Sequence, residues 1–348
     1  MLKKIKNQLE RDLSGFLSSL DKQYALKQTC PLLFKSIAEF VLRKGKRIRP
    51  ILFIIGYRGF SRKNPKGLYA SALSLELLHD FMLVHDDIID KSDLRRGRPS
   101  LHQLLNLYLE KRGNPKISGE DLAIVSGDVM YALGLKSFLS VKENLANKER
   151  ALKKLIDAAL YTGSGEFLEL ISGMEDIARI PKETIYKIYD LKTAYYSFAC
   201  PLAMGALLAG TSQTEANKLI TYGLCLGRAF QIKDDILGIF GQEKDTGKDS
   251  LSDLKEAKKT ILIWHAFRNS SPKNKKLIRK ILSQDKIIKD ELFRMRRIMK
   301  EAGSLEYAKK EILSLMQTAQ KLIVSSKIKK TYRDFLYNYS REILIPDK

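Results

Sequence analysis

Apolar side chains recur at spacings of three and four along almost the whole chain, and this constrains the fold more than any other feature of the sequence. Leu73, Leu77, Leu78, Phe81 and Met82 form one such series, and Leu277, Ile278, Ile281 and Leu282 form another. Glycine (21) and proline (9) are sparse among 348 residues, and no sustained alternating run bounded by hairpin turns breaks the pattern. The spacing predicts an all-α chain. Residues 61–67, 95–99, 112–119, 180–181, 210–214, 241–252 and 269–274 read as breaks, several carrying the Gly, Pro, Asn or Ser punctuation of helix ends. None is long enough for a domain linker, so the expectation is one domain over residues 1–348.

Hydrophobic residues at 44% and charged residues at 29% suit a soluble globular protein and exclude disordered, collagen-like and disulfide-stapled classes. The net charge of +22 raises three partner classes: nucleic acid, an anionic membrane surface, or small polyanions. Its distribution is uneven. Residues 1–50 hold 12 bases and 4 acids, residues 51–250 hold 26 and 25, and residues 251–348 hold 24 and 11. Cys30, Cys200 and Cys225 are widely spaced and in no CxxC arrangement, which suits a reducing cytoplasm and speaks against a disulfide framework or zinc site. The first twenty residues mix charges with apolar residues and lack the form of a signal peptide. Ala194 to Thr214 is uncharged, but polar and glycine residues interrupt it, so it reads as a buried core helix rather than a membrane span.

The sequence His85-Asp86-Asp87-Ile88-Ile89-Asp90 is echoed by Lys233-Asp234-Asp235-Ile236-Leu237-Gly238. Asp86 and Asp90, four apart on a helix, project from one face. Carboxylates that close repel unless a cation lies between them, and Mg²⁺ is held by one or two carboxylates with water and substrate phosphate completing its shell. One such string alone reads equally as a solvated acidic helix end. Two, each closing an apolar helix, point to carboxylate metal sites of the kind helical bundles build. Basic residues follow each cluster: Arg95, Arg96 and Arg98 after the first, Lys244, Lys248, Lys258 and Lys259 after the second. Upstream, Gly45-Lys46-Arg47-Ile48-Arg49-Pro50 packs three cations into four positions. Singly, each string suits a solvated face; together, within a charge-balanced region, they suggest a site for magnesium diphosphates.

GKRIRP, ELLHDFMLVHDDIIDKSDLRRGRPSLH, LKTA and FQIKDDILGIFG with TGKDSLSDLKEAKKT, spanning about residues 40–265, resemble the ordered signature of the trans-polyprenyl diphosphate synthases. The resemblance implies a single helical bundle, the isoprenoid synthase fold, around a central active-site cavity. It implies that Lys46, Arg49, His79 and Arg96 hold isopentenyl diphosphate. Asp86, Asp87, Asp90, Asp234 and Asp235 match the positions for two to three Mg²⁺ ions. Arg95, Lys192, Thr193, Gln231, Lys248 and Lys258 match those that contact the allylic diphosphate. The implied reaction breaks the allylic C–O bond, alkylates the double bond of isopentenyl diphosphate and loses a proton to the released diphosphate. Phe81 lies five residues before Asp86, about 7.5 Å along a helix, with Met82 beside it. This resembles the product floor of archaeal-type geranylgeranyl diphosphate synthases, so that product is expected, with farnesyl or another short-chain product as the alternative. A homodimer is implied too.

Three departures stand out. Gly238 replaces the third aspartate of the second cluster, Glu166 and Glu169 stand where Gln and Asp are commoner, and the chain between His102 and Asp121 is roughly ten residues longer than usual. A class I terpene cyclase would need an Asn/Ser/Glu metal motif and no isopentenyl site. A noncatalytic partner subunit would have lost more aspartates. A nucleic-acid-binding role lacks any recognisable module, and Trp264 alone offers little stacking. The basic region beyond residue 265 matches nothing specific and reads as solvated helix faces that favour weak association with anionic membranes.

Overall fold

The computed structural model describes residues 1–113, 116–241, 254, 256–284 and 287–342. Apart from one short hairpin, the regular elements among these residues are helices, as the spacing of apolar residues predicts. Their contacts group the chain into two compact units, Met1–Leu152 with Met204–Gly210, and Lys153–Ala203 with Thr211–Lys348.

The first unit opens with α1 (Leu2–Tyr24), whose buried Ile5, Leu9, Leu13, Leu17 and Leu20 repeat at spacings of three and four. The short α2 (Leu26–Thr29) and α3 (Pro31–Val41) follow, then α4 (Ile48–Phe60) and α5 (Leu68–Ile89). α4 and α5 are buried on more than one face: Leu52 to Ile55 of α4 and Leu73, Leu75, Leu77 and Leu78 of α5 are each at most 1% exposed. After α5 comes a hairpin of two-residue strands, β1 (Leu94–Arg95) and β2 (Arg98–Pro99), paired antiparallel. α6 (Leu101–Glu110) and α7 (Gly119–Leu139) complete this part. α7 starts at a capping box in which Ser118 and Asp121 bond reciprocally. By length and composition α7 is apolar enough to cross a membrane, with a mean hydropathy of 1.4, and 44% of that stretch is buried. It lies along α5, where the Ser137 hydroxyl donates to the Ala70 carbonyl. The extra residues before α7 form a connection on either side of residues 114–115, which lie outside the described residues.

The second unit takes most of α8 (Leu145–Met174), then α9 (Lys182–Ile188), a π-helix over Tyr189–Ala199 and the start of α10 (Cys200–Leu208). The uncharged stretch is buried as expected, with Ala194, Cys200, Leu202 and Leu208 all at 0% exposure. α11 (Gln213–Phe240) is capped by Ser212, which accepts from the Glu215 N–H. Two glycines fix the π-helix in place. A Cβ at Gly165 of α8 would lie 2.5 Å from the Lys192 nitrogen, and one at Gly227 of α11 would lie 2.3 Å from Ala194. Only hydrogen allows backbones to approach that closely. The C-terminal part comprises α12 (Ile261–Asn269), α13 (Pro272–Leu282), α14 (Lys289–Glu301), α15 (Ser304–Val324) and α16 (Lys330–Glu342). Ile278, Ile281, Met295, Ile298 and Met299 face inward, while Lys273, Lys276, Arg279, Lys280, Arg294 and Arg297 are exposed, so this much of the C-terminal charge lies on solvated faces.

Candidate active site

The first aspartate cluster closes α5, with Asp90 as its C-cap. A helix C-terminus carries the negative end of the backbone dipole, so carboxylates there are unfavourable without a cation. Asp86 and Asp90 are half-buried, whereas Asp87 turns inward at 0% exposure. Arg95 reaches back from β1: its Nε donates to the Asp87 Oδ1 at 2.7 Å and its Nη2 lies 3.3 Å from the Asp86 Oδ2. Burial raises the Asp87 carboxyl above its ordinary range, against the pull of the Arg95 guanidinium. Asp86 and Asp90 are thus accessible, and Asp87 is held by Arg95.

The Gly45–Pro50 cations separate by direction. Arg47 is 3% exposed and its Nη1 donates to Glu76 at 2.6 Å, its Nε to Glu10 at 3.0 Å. Lys46 is exposed and Arg49 half-buried. Arg96 lies 4.0 Å from Glu76 and 3.9 Å from Asp80, and a Cβ at Gly45 would sit 3.6 Å from its guanidinium. The hairpin and the Gly45–Arg47 segment before α4 therefore come together beside α5. Arg47 and Arg96 both hold left-handed backbone, φ 53° and 55°, a conformation that non-glycine residues keep only where surrounding structure enforces it.

His79 is half-buried beside these cations. Burial, followed by the guanidinium groups of Arg49, Arg96, Arg95 and Arg47, holds its imidazole well below the ordinary histidine value of 6.5. The unfolded chain therefore binds more protons than the folded one as pH falls below 6.5, and stability is lost in that direction. The urea midpoint of the protein is expected to fall more steeply from pH 6.5 to 5 than that of His79→Gln; equal slopes would contradict this.

In the second unit Lys192 and Thr193 lie on the π-helix, a form that often marks functional sites. Lys192 pairs with Glu166 at 2.7 Å and with Glu169, the two residues that depart from the commoner pattern. Thr193 donates to Gln231 at 2.8 Å, and Gln231 donates to Asp235 at 3.0 Å. The Tyr189 hydroxyl donates to the other Asp235 oxygen and accepts from the Ile261 N–H at 2.9 Å. Asp235 is 4% exposed, while Asp234 is exposed. In each Asp-Asp doublet the first aspartate is thus the more accessible and the second is locked inward. Lys258 pairs with Glu256, and Lys259 is buried, donating to the Gly173 and Ala257 carbonyls at 3.0 Å each. Lys248 lies outside the described residues. Glu10, Glu76 and Tyr189 escaped sequence reasoning; the spacing of Glu76 from the Asp86 cluster on one helix was the available signal.

A sequence profile described as Polyprenyl synthetase matches residues 30–299. The chain belongs to the polyprenyl synthetase family. The match extends past residue 265, so the expectation that nothing beyond that point is specific is corrected: family resemblance continues through α13 and into α14. A geranylgeranyl diphosphate synthase of Sulfolobus acidocaldarius is 31% identical, covering 88% of this chain and 90% of that protein. A short chain isoprenyl diphosphate synthase of Methanocaldococcus jannaschii is 30% identical over 88% and 84%. Among solved structures, a geranylgeranyl pyrophosphate synthase of Corynebacterium glutamicum, complexed with isoprenyl diphosphate and magnesium, superposes with a TM-score of 0.90 at 24% identity, covering all of both chains. The fold is therefore that of this all-α family. Asp86 and Asp90 in the first unit, and Asp234 in the second, each offer hard carboxylate oxygens that are not enclosed by protein, the kind of donor that lets Mg²⁺ keep water and phosphate ligands.

Proposed function

We propose that this chain is a Mg²⁺-dependent trans-prenyltransferase that condenses isopentenyl diphosphate with allylic diphosphates and releases geranylgeranyl diphosphate. The observation that carries the reading is the end of α5, where Asp86 and Asp90 stay accessible beside Arg95 of the hairpin, while the neighbouring Arg96 lies against Gly45, next to Lys46. Two to three Mg²⁺ ions on Asp86, Asp90 and Asp234 supply positive charge against the departing diphosphate. Arg95, Lys192, Thr193, Gln231, Lys248 and Lys258 contact the allylic diphosphate. Lys46, Arg49, His79 and Arg96 bind the isopentenyl diphosphate; a neutral His79 still donates one N–H to an oxygen. Asp87 and Asp235, buried and hydrogen-bonded, set the orientation of Arg95 and Gln231.

Phe81 is half-buried, its ring 4.6 Å from His85 and 5.3 Å from Tyr131 of α7. With Met82 it forms the floor that stops elongation. Phe81→Ala is expected to shift the main product beyond twenty carbons, read by chromatography after incubation with isopentenyl diphosphate and dimethylallyl, geranyl or farnesyl diphosphate. An unchanged product range sinks the floor. In the unaltered protein a fifteen-carbon product would identify a farnesyl diphosphate synthase instead.

The reading includes a cytoplasmic homodimer. Ile156, Leu160, Phe167, Ile171 and Met174 form one exposed apolar stripe along α8, with Phe167 at 68% and Met174 at 83% exposure. A second copy of the chain covers it, and a monomer in sedimentation equilibrium would contradict this. The exposed cations of α13 and α14 favour weak association with anionic membranes, which liposome co-sedimentation at moderate salt tests.

A further inference from the structure

We propose that Arg43 is a positioning residue that holds the hairpin carrying Arg95 and Arg96 in its working place; this rests on the prenyltransferase reading of those two arginines. A hairpin with two residues per strand is not stable by itself. Its turn adds to the difficulty at Arg96, a non-glycine residue at φ 55°, whereas Gly97 takes its φ of 71° without strain. Something outside it must supply the missing bonds, and Arg43 does.

Arg43 follows α3 and is 5% exposed. Its planar fork reaches both strands: Nη1 donates to the Arg95 carbonyl of β1 at 3.3 Å, and Nη2 donates to the Pro99 carbonyl of β2 at 2.9 Å. The same guanidinium is fixed from behind by Glu39, with Nη2 at 2.7 Å and Nε at 3.1 Å from Oε2. Glu39 also accepts from Arg98 of β2 at 3.2 Å, which ties the far strand to α3 a second time. The Phe40 ring packs under the fork, 4.8 Å from its central carbon. The Arg43 carbonyl in turn accepts from Arg47 at 2.9 Å, and Arg47 is bound to Glu76 of α5. One side chain thus links α3 to both hairpin strands, and its carbonyl links α3 through Arg47 to the helix that bears Asp86.

The geometry separates Arg43 from Lys46 and Arg49, the cations assigned to substrate just after it in the chain. Its donors are spent on backbone carbonyls and a carboxylate, so it is not presented to substrate. What it controls is where Arg95 meets Asp86 and Asp87, and where Arg96 lies against Glu76 and Asp80. Lysine cannot replace it, because a point charge cannot span two carbonyls and a carboxylate in one plane.

The test uses the full chain with Arg43→Ala, Arg43→Lys and Glu39→Gln. In Arg43→Ala, amide hydrogen exchange in a peptide covering residues 92–101 is expected to speed up about tenfold, with α5 and α7 unchanged, and the KM for isopentenyl diphosphate to rise about 10- to 100-fold, the range typical of lost outer-shell partners. Methylguanidinium should restore part of that loss, and Arg43→Lys should recover little of it. Glu39→Gln, at the half-buried rear of the clamp, should give an intermediate effect; it and Arg43→Lys carry the test should Arg43→Ala not fold. Unchanged exchange and KM would overturn the proposal, as would exchange that rises equally throughout the chain or full activity in Arg43→Lys. Absence of elongation by the unaltered protein would instead defeat the functional reading, while hydrogen exchange would still report on the clamp.

Discussion

Asp86→Ala is expected to lower the turnover of isopentenyl diphosphate elongation by at least about 10³-fold, equivalent to about 4 kcal/mol of transition-state stabilisation. Asp86 and Asp90 are four residues apart at the C-terminal end of α5, where the helix dipole opposes negative charge. Such a pair is retained at a cost to local stability, which the charge of a bound cation and its diphosphate offsets. Removing one carboxylate halves the donors on that face. The fold should survive: Asp86 is half-buried, and Arg95 keeps its bond to Asp87. The thermal midpoint is therefore expected to stay the same or rise slightly as repulsion is relieved, while activity disappears. Loss of activity together with loss of the folded state would show instead that Asp86 is a structural residue. Steady-state kinetics and circular dichroism on the same preparation separate the two.

Arg47→Met should have the largest effect on stability, a loss of about 3–5 kcal/mol, because it leaves the Glu76 carboxylate buried without its partner. The Arg47 and Glu76 side chains are only 2% and 3% exposed, and Arg47 also donates to the Val41 and Arg43 carbonyls at 3.0 and 2.9 Å. Burial works against the charge on Arg47, yet Glu76 and Glu10 outweigh it and raise the guanidinium pKa further. Pairing Arg47→Met with Glu76→Leu should recover much of the loss, since a buried ion pair replaced by apolar groups of similar volume is often neutral. Urea unfolding of the two single variants and the double variant measures the coupling. Additive effects would contradict the account, because they would mean that the two side chains do not depend on each other.

Much of this was legible in the sequence because helical period fixes direction. The α5 series placed Asp86 and Asp90 on one face, and the run of charge-free residues after Ala194 read correctly as core. Period does not say what a side chain meets on arrival. Lys46, Arg47 and Arg49 look alike in a string, but Arg47 turns inward to 3% exposure and pairs with carboxylates on α1 and α5. The doublet Asp86-Asp87 likewise divides by partner: Asp87 faces Arg95, which reaches it only after the chain has turned through the hairpin. The π-helix that presents Lys192 and Thr193 was not foreseen, since it depends on close approach at Gly165 and Gly227 from helices distant in sequence. Tyr189 was missed for the same reason; its partners, Asp235 and Ile261, lie far along the chain.

The central claim is that Asp86, Asp90 and Asp234 serve a prenyl transfer that needs both diphosphate substrates. The most direct measurement is the release of inorganic diphosphate by the purified protein, followed continuously alongside incorporation of isopentenyl units. The account predicts release only with Mg²⁺, an allylic diphosphate and isopentenyl diphosphate together, with one diphosphate per unit added and none after chelation. Diphosphate release from the allylic substrate alone, or none under any of these conditions, would contradict it.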